Sequence, residues 1–185
     1  DDEELCDASR TLALAPIPAG NRVAIVTPAG GYGVMGADHV ETDRGGVRLQ
    51  MARLEPATER RIRESTLPFA SAQNPVDLTA SADDAMFGAT LDALVDDPNV
   101  DIVLCTAFFA PPAITDGLLD EVARRATASP KPILAFTEYG PHTDAYLRRF
   151  HERGVVGFPS ISRAVRAARF LVERARVLDA LGVSQ

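Results

Sequence analysis

The stretch from Arg22 to His39 reads as a buried strand, Arg22-Val23-Ala24-Ile25-Val26-Thr27, that breaks into Pro28-Ala29-Gly30-Gly31-Tyr32-Gly33 and then opens a helix. A strand, a glycine-rich turn and a helix in that order restrict the chain to layered α/β folds. The same turn is a place to hold an anion. Its glycines let the backbone bend and approach closely. The free N–H groups of the first helical turn, with the positive end of the helix dipole, then point at whatever negative group sits there.

Several patterns could explain those glycines. The phosphate loop of nucleotide hydrolases needs Lys followed by Ser or Thr after its last glycine, whereas Val34 and Met35 follow Gly33, so that reading fails. A dinucleotide fingerprint needs Gly-x-Gly-x-x-Gly, and Gly31 to Gly36 has that spacing. The acidic residue expected after the next strand is missing, because Val47-Arg48-Leu49-Gln50 runs into Met51-Ala52-Arg53. A tight corner that merely packs helix on sheet stays open as well.

Beyond the turn, short apolar runs alternate with amphipathic segments. The spacing predicts strands at 22–27, 47–50, 101–108, 132–137 and 154–158. It predicts helices at 33–42, 56–64, 83–96, 115–128, 141–151 and 161–178. Such alternation means a parallel sheet with helices on both faces, and right-handed crossovers leave only a few doubly wound orders. An acidic lead with Leu5, Ala8 and Leu12 at helical spacing precedes this block and ends at Pro16 and Pro18. Residues 1–19 are therefore expected to form an N-terminal helix and Pro-rich linker, and residues 20–185 the domain.

Taken together, the lead helix, the Gly20 to Gly31 run, Asn74-Pro75-Val76-Asp77-Leu78 and the closing Gly157-Phe158-Pro159-Ser160 with Arg163-Ala164-Val165-Arg166-Ala167 resemble one family. The chain is similar to the ADP-forming acyl-CoA synthetases, relatives of succinyl-CoA synthetase. More narrowly it resembles the flavodoxin-like CoA-ligase module that precedes the ATP-grasp part. The resemblance implies a flavodoxin-like sheet of five strands in the order 2-1-3-4-5, with Rossmann order as the alternative. It implies one domain of an acid-thiol ligase that interconverts acyl-CoA, ADP and phosphate with acid, CoA and ATP through a phosphohistidine held by a sister module. By the same resemblance ATP or ADP, Mg and CoA serve the complete enzyme and none is bound by this domain alone. The partners it implies are the phosphohistidine and CoA-binding modules and the ATP-grasp module.

Residues 29 to 34 (Ala29, Gly30, Gly31, Tyr32, Gly33 and Val34) are then the expected phosphate-binding segment, acting by positive potential and not by proton transfer; no catalytic residue is expected in this chain. The loops after the other strands should open on the same crevice. Asn74 and Asp77 can simply bond nearby backbone, and by resemblance help shape the pocket. Phe108 and Phe109 are either core and rim residues or an apolar wall for the acid. Tyr32 keeps a non-catalytic, regulatory or interaction module in view, since an aromatic in the turn could narrow the anion site.

Composition sets the remaining limits. A net charge of −7 argues against a nucleic-acid partner. No apolar run approaches the roughly 18 residues of a membrane helix, and no basic-then-apolar leader opens the chain, so cytoplasmic residence is expected. Cys6 and Cys105 lie far apart and lack metal-ligand spacing. His39, His142 and His151 have no Cys, Asp or Glu partner at ligand spacing, so no metal site is expected. Pro141-His142-Thr143-Asp144 matches the family's Ser-His-Thr-Gly run poorly, and a Gly-x-Ser-x-Gly elbow is absent.

Overall fold

Val23, Ala24, Ile25 and Val26 are apolar without alternation, the pattern of a strand covered on both faces, and all four are wholly buried. The computed structural model describes residues 1–42 and 46–183. Helix α1 (Asp2–Leu14) leads to strand β1 (Arg22–Thr27), α2 (Gly30–Glu41), β2 (Gln50–Met51) and α3 (Pro56–Ser65). Then come β3 (Val76–Asp77), α4 (Asp84–Asp96), β4 (Ile102–Thr106), α5 (Gly117–Ala128), β5 (Ile133–Phe136), α6 (Thr143–Glu152), β6 (Gly157–Phe158) and α7 (Ile161–Ala180). All pairings between these strands are parallel, in the order β2-β1-β4-β5-β6, with β3 also paired to β1. Val23 and Ile25 face a core completed by α2 and α7, through Val40, Ile161, Val165 and Leu171. Ala24 and Val26 face the other core, with Ile62, Leu91, Leu119 and Phe150 from α3 to α6.

The expected order of five strands holds, with β2 at Gln50–Met51 and not at 47–50, and β3 adds a sixth strand beside β1. Two residues behind a proline carry no readable period, so β3 has no signature in the sequence. Helix α2 begins at Gly30 and not at 33, so the glycine turn is the helix's own first turn. Glycine's poor helix propensity displaces a sequence-based start. Packing explains why glycines are there. A Cβ on Gly33 would lie 3.1 Å from Cβ of Pro75, and one on Gly36 would lie 2.8 Å from Cδ1 of Ile25.

Helix α1 does not bury its leucines. Leu5 and Leu12 are 68% and 46% exposed, whereas Asp7 and Thr11 are wholly buried. Asp7 takes Nε and Nη2 of Arg163 on α7 at 2.7 and 2.8 Å, and a paired buried charge outweighed the leucine spacing in choosing the inward face. At the amino ends of the strands a second pair closes the sheet. Burial would raise the Asp101 carboxyl, but hydrogen bonds from the Arg22 guanidinium and backbone N–H hold it below its ordinary value.

The edge of β1 is shared. Arg22 and Val23 pair with β2, Val26 and Thr27 pair with β3, and the Asn74 side chain spans the gap. Its Oδ1 accepts from the Ile25 N–H at 2.9 Å, and its Nδ2 donates to the carbonyls of Val23 and Ala52 at 2.8 and 2.9 Å. The amide thus does the work of a backbone peptide in the ladder. Asn74→Ala is expected to cost about 3 kcal/mol in urea unfolding, since it strands buried groups at about 1–3 kcal/mol each. Asn74→Asp, which turns an acceptor toward two carbonyls, should cost at least as much; wild-type stability in the Asp variant would refute the bridging role.

His151 on α6 gives a pH signature. Nε2 lies 3.2 Å from the Gly157 carbonyl oxygen, and burial lowers the pKa, with Arg10 adding to that and the Gly157 bond opposing it. The unfolded chain, with His near its ordinary 6.5, binds more protons than the folded one just below that pH. His151 therefore contributes stability above pH 6.5 that is lost as pH falls below it. Thermal midpoints measured from pH 7.5 downward should fall less steeply for His151→Gln than for the parent chain through that window.

Candidate functional site

The crevice of an open parallel sheet lies at the carboxyl ends of its strands, and β1 turns there directly into α2. Thr27 folds the corner: its Oγ1 accepts from the Ala29 N–H at 3.1 Å and donates to the Ala29 carbonyl at 2.9 Å. Ala29, at the cap, has no side-chain oxygen for the first-turn N–H groups, and that turn carries no acidic residue. One helix end of this kind is worth about 0.3–2 kcal/mol on an anion.

The flanks of that end differ. Asp77, the last residue of β3, accepts the Thr79 N–H on Oδ1 at 2.9 Å, and Thr79 sits at φ 65°. Its other oxygen lies 2.7 Å from where a Cβ on Gly30 would stand, so only glycine lets the carboxylate come that close. Around a Cβ on Gly31 there is open space. Val34 and Met35, one turn on, are 63% and 49% exposed. The structure thus brings Asp77 and the Gly30–Val34 segment together, with a negative group on the β3 side and an accessible apolar shoulder along the helix.

Tyr32 leans across the ends of the neighbouring strands. Its ring meets Phe136 edge-on at 5.0 Å and Phe108 at 5.9 Å, and its hydroxyl donates to Oε2 of Glu138 at 3.1 Å. Burial first, then the Glu138 bond and charge, raise its pKa. Phe108 also reaches Tyr139, at 6.5 Å. Phe109 turns into the core and stacks on Tyr146 at 3.9 Å. Asn74 spends both amide hydrogens and its oxygen on the backbone around β1. Phe108 therefore sits at the rim of the crevice, while Phe109 and Asn74 serve the framework beneath it.

Glu138 and Tyr139, absent from the sequence reading, complete this rim, and their position straight after a parallel strand is the signal that marks them. Thr106 and Thr137 close β4 and follow β5; both are buried, and neither Oγ1 has a hydrogen-bond partner among the described residues. Burial pushes the Cys105 thiol up to about 12, which leaves it without a nucleophilic thiolate. His142 is exposed in the 3-10 turn Gly140–His142. Among the described residues no cluster of His, Cys, Asp or Glu could hold a metal ion, and no helix is long and apolar enough to cross a membrane.

A family model described as the Ligase-CoA domain matches residues 23–178. The alpha subunit of acetate–CoA ligase [ADP-forming] II from Pyrococcus furiosus is 34% identical over 167 residues, which cover 87% of this chain and 35% of that protein. Acetate–CoA ligase [ADP-forming] I from Archaeoglobus fulgidus is 35% identical over 169 residues, covering 91% of this chain and 23% of that one. A crystal structure of a Pyrococcus horikoshii protein superposes with a TM-score of 0.82 at 30% identity, over 94% of this chain and 40% of the other. The chain thus spans 35% or less of the length of these two ligases.

Substitutions at the two leading glycines should separate packing from openness. Gly30→Ala must displace Asp77 and is expected to lower stability by about 1–2 kcal/mol. Gly31→Ala meets nothing and should leave stability equal or up to about 1 kcal/mol higher, because alanine is the better helix former. Parallel urea titrations of the two variants check this order.

Proposed function

Because this chain belongs to the Ligase-CoA domain family, we propose that it serves as one module of an ADP-forming acyl-CoA synthetase and lends the amino end of α2 to the phosphate site. The supporting observation is the start of α2 itself. It stands at the carboxyl end of β1 without a side-chain cap, and its Gly31 flank is open. Two relatives are ADP-forming acetate–CoA ligases, one of them an alpha subunit.

In this reading the complete enzyme joins an organic acid to CoA at the expense of ATP, and runs the reaction in reverse to make ATP. Phosphate travels by way of a histidine on a sister module. ATP or ADP with Mg belongs to an ATP-grasp module and CoA to a further module, fused to this chain or separate from it. The chain's own contribution is electrostatic. The first-turn N–H groups of α2, apart from that of Tyr32, which donates to the Ala29 carbonyl at 3.0 Å, and the α2 dipole lower the potential energy of a dianionic phosphoryl group during its formation and transfer, in an orientation fixed before the group arrives. Thr27 and the Pro75 contact under Gly33 hold that helix end still. With an assistance of about 0.3–2 kcal/mol, the helix end aids the transfer and cannot carry it alone.

The Asp77 carboxylate beside Gly30 favours a second reading, a regulatory module whose helix end has given up phosphate. Gly31→Val in the complete enzyme decides between the two. On the first reading, radiolabel incorporation into the histidine from ATP slows about 3- to 30-fold, the loss of up to one helix-end interaction, with folding and CoA affinity unchanged. Normal labelling by a folded variant would leave the glycine turn a structural corner. The isolated chain is expected to form no ATP from acyl-CoA, phosphate and ADP.

A further inference from the structure

Thr106, the last residue of β4, is 1% exposed, and its Oγ1 has no hydrogen-bond partner among the described residues. A buried hydroxyl left without a partner costs stability, and an apolar side chain of the same shape avoids that cost. A native fold that keeps such an atom calls for an explanation.

The pleat of the sheet tells which way it points. Side chains two apart on a strand share a face, and Leu104 belongs to the core under α2 and α7. So does Phe136, the register partner of Thr106 on β5. On the other flank Val26 pairs with Cys105, so one step further Thr27 stands beside Thr106. Thr27 lies under the first turn of α2, its Cγ2 3.3 Å from where a Cβ on Gly33 would stand, and its own hydroxyl is spent on Ala29. Phe136 meets the Tyr32 ring edge-on at 5.0 Å. Thr106 is therefore the middle of three neighbours on one face, between the residue beneath the α2 amino end and the residue beneath the Tyr32 ring.

Tyr32 is the natural cover. It is half-buried against this core, and its tip is tied to the exposed Glu138. Rotation about its own side-chain bonds lifts the ring while the helix stays in place. We propose that Thr106 is a further phosphate ligand, whose Oγ1 donates to the phosphoryl group at the α2 amino end once the Tyr32 ring turns aside. This inference rests on the phosphate reading of α2 given above, and adds to it a side-chain donor and a cover. A hydrogen bond to a dianion is of the strong, charge-assisted kind, which accounts for the orphaned hydroxyl. Thr137 supplies the contrast. It too is buried and unpartnered, but it stands two residues after Ala135, which faces the opposite core, away from α2.

Stability and phosphoryl transfer should move in opposite directions. Melting curves of the chain, and radiolabel incorporation from ATP into the histidine of the complete enzyme, test this on Thr106→Val, Thr106→Ser, Thr137→Val, Tyr32→Phe and Gly31→Val in parallel. Thr106→Val should melt at or above the parent temperature and yet label about tenfold or more slowly, as expected for a lost charge-assisted bond. Thr106→Ser keeps the hydroxyl and should label close to the parent rate. Thr137→Val should also melt at or above the parent, with labelling unchanged. Tyr32→Phe unties the cover from Glu138 and should label faster; a parent-like or slower rate refutes the cover. Normal labelling by Thr106→Val overturns the proposal. If Gly31→Val is slow in the same assay, the phosphate reading of α2 survives that result, and if Gly31→Val is normal both fall. A Thr106→Val chain that melts below the parent, or equal slowing in Thr137→Val, also refutes the assignment, because the loss then traces to packing.

Discussion

One primary amide organises the crevice side of this domain. By bonding Ile25, Val23 and Ala52 at once, Asn74 lets the chain leave the edge of β1 after β2 and return to it at β3 without orphaning the peptide groups between. Everything at the carboxyl end follows from that return. Pro75 arrives under Gly33, Asp77 arrives beside Gly30, and the first turn of α2 is wedged between them and Thr27. Gly30 and Gly33 answer this crowding, while Gly31 meets nothing.

Most of the architecture was legible because it rests on burial. Continuous apolar runs at β1, β4 and β5 and amphipathic helices between them are written in residue types, and the sheet order follows from chirality once the alternation is seen. What escaped has local physical causes. The two residues of β3 are held by a side-chain amide, and a side chain acting as a backbone has no period. The start of α2 at Gly30 defies helix propensity because tertiary packing crowds the helix at Gly33 and Gly36. Leu5 and Leu12 mark α1 in the sequence, but its buried face is set by Asp7, which meets two arginines on α7, a long-range partnership that no window along the chain can reveal.

The candidate site was legible at a coarser grain. Position after β1 singled out residues 29 to 34, and position after β4 singled out Phe108, which the structure sets near Tyr32. The division of labour was not legible. Whether Asn74 faces a ligand or a carbonyl, and whether Phe108 or Phe109 turns inward, depends on side-chain directions that one residue of offset reverses. Charge is divided as well. The amino ends of the strands are closed by the Arg22–Asp101 pair, while the carboxyl ends keep an uncapped helix and the Tyr32–Glu138 contact.

The brevity of the outer strands has a consequence for how such a domain lives beside others. β2, β3 and β6 are two residues long, and they form the margins of the sheet on both sides. A margin of two residues exposes too few free N–H and C=O groups to template another strand. Edge-to-edge recruitment of a neighbour, the ordinary first step toward strand exchange and fibrillar aggregation, therefore finds no purchase on either side. Any neighbour of this domain is left its helices and loops to contact.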